Sequence, residues 1–241
     1  MMRIYLILLL VGLTGWGCAK APVRSPSDNE KPSVTNTGEV AEMKLVEVKS
    51  GDWSPGLSEE EKQTLYAIAL DTLDWCVKGS KGAFEFSRYD LTPLLKKEMA
   101  TFVTLKEKGQ LRGCIGSLAP VAPLYESVHD NAVNAALKDF RFHSVRPEEL
   151  PQLHVYVSIL SPIATIPSYK EFRIGEHGVI LSKHGRRAVF LPEVAPEQGW
   201  SVAQTLEHLS MKAGLPHDAW KEGASYQVFS SVEIYAEDRE D

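Results

Sequence analysis

An internal duplication constrains this chain more than any other feature. Val103, Leu105, Gly109, Ile115, Ala119 and Pro120 recur as Val179, Leu181, Gly185, Leu191, Ala195 and Pro196, six pairs at one offset of 76 residues. In each copy an apolar strand meets a Gly-containing turn and returns as a second strand, the pattern of a β-hairpin. A helix with an apolar stripe follows each hairpin. The first carries Leu124, Val128, Ala132 and Ala135; the second carries Val202, Leu206, Leu209 and Ala213 and opens on a Ser201–Gln204 capping box. An alternating strand follows each helix: Val155, Val157, Ile159 in one copy and Val228, Ser230, Val232, Ile234 in the other. The repeated order predicts an α+β fold, with a duplicated hairpin-helix-strand unit forming a pseudo-symmetric, mainly antiparallel sheet with flanking helices.

Ahead of the first copy, Ser58 and Glu61 form a second capping box. They open a helix with Leu65, Ile68, Ala69, Leu73 and Cys76 on one face, ended by Gly79. The chain has 241 residues, 44% hydrophobic and 24% charged, a balance that excludes wholesale disorder and fibrous classes. Lys and Arg number 26 against 32 Asp and Glu, a net charge of −6, so composition gives nucleic-acid binding no support. Three cysteines make neither a disulfide scaffold nor a four-thiolate zinc site.

The start of the chain reads as an address. Met1-Met2-Arg3 is short and positive, and Ile4 to Leu13 is apolar apart from Tyr5 and Gly12. The run is short for a membrane span and suits a secretory signal. Gly15-Trp16-Gly17-Cys18 follows and resembles the bacterial lipobox, with Cys18 as the lipidated residue. Residues 1–17 are therefore expected to be a signal peptide. Residues 18–57, with Pro22, Pro26, Pro32 and Pro55 among many serines, are expected to be a lipid-anchored disordered tether. Inside it, the alternation from Met43 to Val48 suits a short edge strand. Residues 58–237 form the folded domain and 238–241 a tail. The expected location is the bacterial cell envelope, as an exported, membrane-anchored lipoprotein.

The chemistry concentrates in Leu111-Arg112-Gly113-Cys114-Ile115-Gly116. Two glycines flank a thiol, and on a regular strand Arg112 shares a face with Cys114. A neighbouring cation favours thiolate and activates a nucleophile. The plainer alternative is that Cys114 packs as a small hydrophobe and the glycines only shape the turn. Asp139 and Arg141 either hold their loop together or, with Arg112 and Gly113, bind an anionic substrate. His177, between Gly175-Glu176 and Gly178, either serves Cys114 as a base or is a satisfied turn residue. His208 and Lys212 sit four apart on a helix without a metal pattern. With no His-x-x-x-His, paired Cys or Walker-type loop, neither a metal nor a cofactor is predicted.

Taken in order, several motifs resemble the AMMECR-one domain family. They are Phe102-Val103-Thr104-Leu105, Leu111 to Gly116, Asn131-Ala132, Ala135-Ala136, Asp139-Phe140-Arg141-Phe142, Gly175-Glu176-His177-Gly178, Leu191-Pro192, Trp200 and Lys212-Ala213-Gly214-Leu215. The resemblance spans about residues 58–237 and implies two interlocked subdomains. It also implies a pathway link to Memo-like and radical S-adenosylmethionine proteins, without defining a reaction. The expected function is a membrane-tethered binding or accessory protein with a Cys/Arg cleft, its partner a protein or a small anionic ligand. The alternative is an enzyme using Cys114 as nucleophile and His177 as base, on a small anionic substrate.

Overall fold

The computed structural model describes residues 43–237. The signal peptide, Cys18, the first part of the tether and the tail lie outside these residues. In chain order the elements are β1 (Leu45–Lys49), α1 (Glu59–Val77), β2 (Thr101–Glu107), β3 (Gln110–Gly116), α2 (Leu124–Leu137), β4 (Leu153–Leu160) and β5 (Ala164–Ile166). Then come β6 (Gly178–Lys183), β7 (Arg186–Phe190), α3 (Val194–Gln198), α4 (Val202–Lys212), β8 (Ser225–Phe229) and β9 (Ser231–Ala236). Among them, no helix is long and apolar enough to cross a membrane.

Each copy of the hairpin seeds its own sheet. The first sheet runs β1-β9-β4-β2-β3 and the second β5-β8-β6-β7, and every strand pair is antiparallel. The likeness of the copies extends to the backbone of their turns. Lys108 and Gly109 have φ of 51° and 73°, and His184 and Gly185 have φ of 50° and 73°. Two consecutive positive φ values make a type I′ turn, whose twist matches that of the strands it joins.

The sheets are interlocked by two crossings. After β4 the chain leaves the first sheet and adds β5 to the second; after β8 it leaves the second and adds β9 to the first. The alternating run Val228 to Ile234, expected to be one strand, is therefore two. Ser230 N–H donates to Ser161 Oγ (2.9 Å), and Ser161 N–H donates to the Ser230 carbonyl (2.9 Å). These bonds hold both crossings together and leave Ser230 without a ladder partner.

Three cores follow from the alternation of side chains. Val103, Leu105, Val155, Val157 and Ile159 face α1 and α2, where Leu65, Ile68, Val128 and Ala132 are fully buried. Val179, Leu181 and Val228 face Leu206 and Leu209 of α4. Ala100, Leu160, Ile180, Leu191 and Phe229 form a third cluster drawn from both sheets. Each fully buried Leu or Ile contributes about 1.5–3 kcal/mol relative to exposure. Gly113 sets the spacing at one point: a Cβ there would lie 2.3 Å from the Ala135 carbonyl oxygen, so only glycine lets β3 approach α2 so closely.

The folded unit begins earlier than residue 58. β1 pairs with β9 along its whole length, as the alternation from Met43 predicts. Ser50 is buried against Ser231, and Trp53 and Leu57 pack on the first core. Residues 43–57 are thus part of the domain and not of a tether. Their backbone is satisfied by an exposed sheet edge, which the Ser/Pro content of the segment does not reveal.

Candidate functional site

Cys114 lies on β3, an edge strand, opposite Thr104 of β2. An edge leaves outward N–H and C=O groups unpaired. Here two side chains take the place of a missing strand. The Asp139 carboxylate accepts from Cys114 N–H (2.9 Å), and Arg141 Nη2 donates to the Cys114 carbonyl (3.0 Å). Asp139 also accepts from Arg141 Nε (2.9 Å), Nη2 (2.7 Å) and backbone N–H (3.2 Å). The Arg141 guanidinium, aided by the Cys114 and Arg141 amides, holds the Asp139 carboxyl at about 2. The first role foreseen for this pair, holding the loop, is the one the geometry displays.

The Cys114 side chain points away from the helices. The Thr104 hydroxyl donates to its sulfur at 3.2 Å. Burial pushes the thiol pKa up, against the opposing pull of Thr104, Arg141 and Lys212. Burial thus opposes the thiolate form that a neighbouring cation favours, which suits the alternative of a packed, small apolar Cys114.

Two further charged groups reach this thiol from the second copy. Lys212, at the end of α4, donates to the Val189 carbonyl on β7 (2.9 Å) and lies over the Phe190 ring at 4.7 Å. β7 is the edge of the second sheet, so Lys212 blocks that edge as Arg141 blocks the first. Desolvation of the ammonium and the nearby Arg141 cation lower the Lys212 pKa. Glu193, just before α3, senses both Cys114 and Glu233 of β9; burial first, and Glu233 second, push its carboxyl up to about 8. Within electrostatic reach of the thiol thus lie two cations, Arg141 and Lys212, and one acid, Glu193. Lys212 forms no ion pair with a carboxylate among the described residues.

Other expected members of the site lie elsewhere. The register slips between Leu105 and Lys106: Leu105 pairs with Gly113 and Lys106 with Leu111, so Arg112 is the extra residue of a β-bulge. The bulge breaks the alternation, and Arg112 does not share the Cys114 face. Its guanidinium instead grips Glu149, with Nε–Oε1 at 2.9 Å and Nη2–Oε2 at 3.3 Å. Gly113 packs against the Ala135 backbone of α2. His177 closes its own turn: its Nδ1 accepts from Arg173 N–H (3.2 Å), and burial lowers its pKa. The neighbouring Glu176 carbonyl accepts from Ser230, beside β9, whereas Cys114 lies three strands away on the opposite edge. With strands about 4.8 Å apart, His177 is out of hydrogen-bond reach of the thiol. Cys76 and Cys114 are both free, on opposite faces of the first sheet.

Sequence reasoning gives Glu193 no role and weighs Lys212 only beside His208, where no metal pattern exists. The signal for Lys212 was its place in the Lys212-Ala213-Gly214-Leu215 motif; Glu193 directly follows Leu191-Pro192. Two cavities open elsewhere on the described surface. One, of about 610 Å³, is lined by Trp53, Pro55, Met99, Leu118, Leu160 and Ile163; the other, of about 470 Å³, lies beside Lys183 and Leu215. Cys114 lines neither.

Fold and site together define an α+β protein of two interlocked antiparallel sheets, with Cys114 on an edge strand whose outward groups are taken by Asp139 and Arg141. The family model AMMECR1 matches residues 66–234, and the chain belongs to that family. A protein of Methanothermobacter thermautotrophicus is 36% identical over 188 residues, covering 76% of this chain and 97% of the relative. One from Methanosarcina mazei is 36% identical over 191 residues, covering 77% and 96%. The crystal structure of an uncharacterized protein from Pyrococcus horikoshii is similar with a TM-score of 0.64 at 30% identity, covering 73% of this chain and 95% of that one.

Proposed function

We propose that this AMMECR1-domain protein is a membrane-tethered binding or accessory protein whose Cys114/Arg141 cleft holds an anionic group. The observation that supports this reading is the electrostatic coupling of two cations from separate copies of the duplicated unit, Arg141, which bonds the Cys114 carbonyl, and Lys212. Arg141 is matched by Asp139, whereas Lys212 meets a carbonyl and an aromatic ring and no carboxylate among the described residues. An anion placed between them would relieve their mutual repulsion and accept their remaining N–H donors. Titration of the full chain with inorganic phosphate and with acetate, followed by calorimetry and amide chemical shifts, tests it. Binding is expected to weaken at least fivefold in Lys212→Met and to persist in Lys212→Arg. Failure of both anions to bind the wild-type protein would overturn the reading.

The tether is proposed on the Met1-Met2-Arg3 start, the apolar Ile4 to Leu13 run and Gly17-Cys18. Stable attachment takes more than one acyl chain, as a lipobox cysteine would carry. Cys18→Ser should release the protein from the membrane fraction; a soluble wild-type protein retaining Met1 or Met2 would refute attachment.

One observation favours thiol chemistry as a second reading. Glu193, held near neutral in its pKa and within electrostatic reach of Cys114, fits the acid–base place that His177 is too distant to fill. Under this reading the carboxylate form of Glu193, which gains population as pH rises towards 8, takes the thiol proton.

A further inference from the structure

We infer that the short helix α3 is a lid over Cys114, latched to the first sheet by an ion pair between Lys106 and Glu197. Val103 and Leu105 of β2 face α1 and α2. Alternation along the strand therefore puts Phe102, Thr104 and Lys106 on the outer face of the sheet. Cys114 shares that face: it pairs with Thr104, whose hydroxyl donates to its sulfur at 3.2 Å.

The second copy of the duplicated unit meets the outer face at both ends of this run. At one end, Phe102 of β2 and Val194 of α3 pack on the same apolar cluster, together with Val189 and Leu191. At the other end, Lys106 Nζ donates to Glu197 Oε1 of α3 at 2.9 Å. The same ammonium lies over the Tyr156 ring at 4.7 Å, so the sheet itself aims it. Phe102 and Lys106 are separated by about 13 Å of strand at ~3.3 Å per residue. Thr104 stands midway, with Cys114 beside it, so a helix fastened at both points passes over the thiol. This accounts for a half-buried Cys114 on an edge strand, on the face that neither α1 nor α2 covers.

The fastening is light. Of the five residues of α3, only Ala195 is buried. The Lys106 and Glu197 side chains are 21% and 49% exposed, so salt screens their attraction. Gly199 ends the helix at φ 64°, with open space where a side chain would stand. Such a position can absorb the change of backbone angle that a hinge needs. The lid does not depend on what the cleft binds; it sets when Cys114 meets solvent.

The test is alkylation of the full chain with iodoacetamide at one fixed pH, with the rates at Cys114 and Cys76 resolved by mass. Lys106→Met and Glu197→Gln should each raise the Cys114 rate about threefold, the scale of a part-exposed ion pair, and leave Cys76 unchanged. The two substitutions remove opposite charges, so a purely electrostatic effect on the thiol would move the rate in opposite directions. A shared rise reads the latch. Raising NaCl from about 20 to about 500 mM should give a similar rise in the wild type and almost none in Lys106→Met. The exchanged pair, Lys106→Glu with Glu197→Lys, should return the Cys114 rate towards that of the wild type. Unchanged Cys114 rates, or rates that move in opposite directions, would overturn the inference. An equal rise at Cys76 would overturn it too, since that marks a loosening of the whole fold and not the opening of a lid.

Discussion

Asp139→Asn changes one charge and almost no shape, and its consequence is calculable. The carboxylate is 1% exposed and accepts four hydrogen bonds, one from Cys114 and three from Arg141. Its pKa falls from the ordinary 3.8 to about 2, chiefly through the Arg141 guanidinium. At about 1.4 kcal/mol per unit, this is on the order of 2 kcal/mol of stability at neutral pH. For a chain of this size that corresponds to about 5–10 °C in Tm. The amide also turns one acceptor into a donor facing N–H groups, which adds about 1–3 kcal/mol. A depressed folded pKa means that the unfolded chain takes up the proton first as pH falls. The contribution is whole above about pH 4 and is lost as pH falls towards 2. Urea unfolding of both proteins from pH 7 to pH 2, followed by tryptophan fluorescence and circular dichroism, reads this out. The two stability curves should lie apart at pH 7 and approach each other below pH 4. A gap under 0.5 kcal/mol at pH 7, or one unchanged at pH 2, would refute the reasoning.

Gly113→Ala sets a methyl group against the Ala135 backbone oxygen; it should destabilise by about 1–3 kcal/mol through displacement of β3 from α2, read as a lower urea midpoint with an unchanged slope. Glu193 has a folded pKa raised to about 8, so its stability contribution is greatest below the unfolded carboxylate value and declines as pH rises towards 8. Glu193→Gln should flatten the wild-type decline between about pH 5 and 8, and an unchanged slope would remove Glu193 as its cause. Alkylation of the folded protein, resolved by mass, should show Cys114 reacting with a pH midpoint above the ~8.5 of a free thiol, because burial raises its pKa. Cys76, pushed up to about 11, should be protected as well. A Cys114 midpoint below 8 would restore the activated-thiolate picture.

Much of the fold was legible because it rests on local chemistry. Gly109 and Gly185 supply the positive φ of their turns, Ser58 and Ser201 bond their third amides as capping boxes, and the apolar alternation names the buried faces. What was hidden depends on partners distant in sequence. Nothing in Val228 to Ile234 announces that Ser161 splits the run. The bulge that turns Arg112 towards Glu149 is a mismatch between two strands, invisible in either alone. In the site, Asp139 and Arg141 pair as their two-residue spacing allows, whereas Cys114, 25 residues from Asp139, joins them only through the fold. Lys212 joins them only through the approach of the second copy, and the distance between β9 and β3 removes His177.

The crossing of β9 into the first sheet has a consequence for how the molecule comes into being. Residues 231–236, almost the last of the chain, lie between β1 and β4, so a strand near the beginning has nothing to pair with until the end is available. The first subdomain does not mature as a unit ahead of the second. Removing residues 231 onward would open the sheet beneath α1 and α2, where Val232 and Ile234 are buried. Such non-local pairing also carries a high loop-closure cost before any contact repays it, so folding should be slow and all-or-none. Glu237 N–H donates to the Lys44 carbonyl at 2.9 Å, which brings the two ends of the folded unit side by side. A circular permutant joining them by a short linker would convert that late, distant pairing into an early, local one.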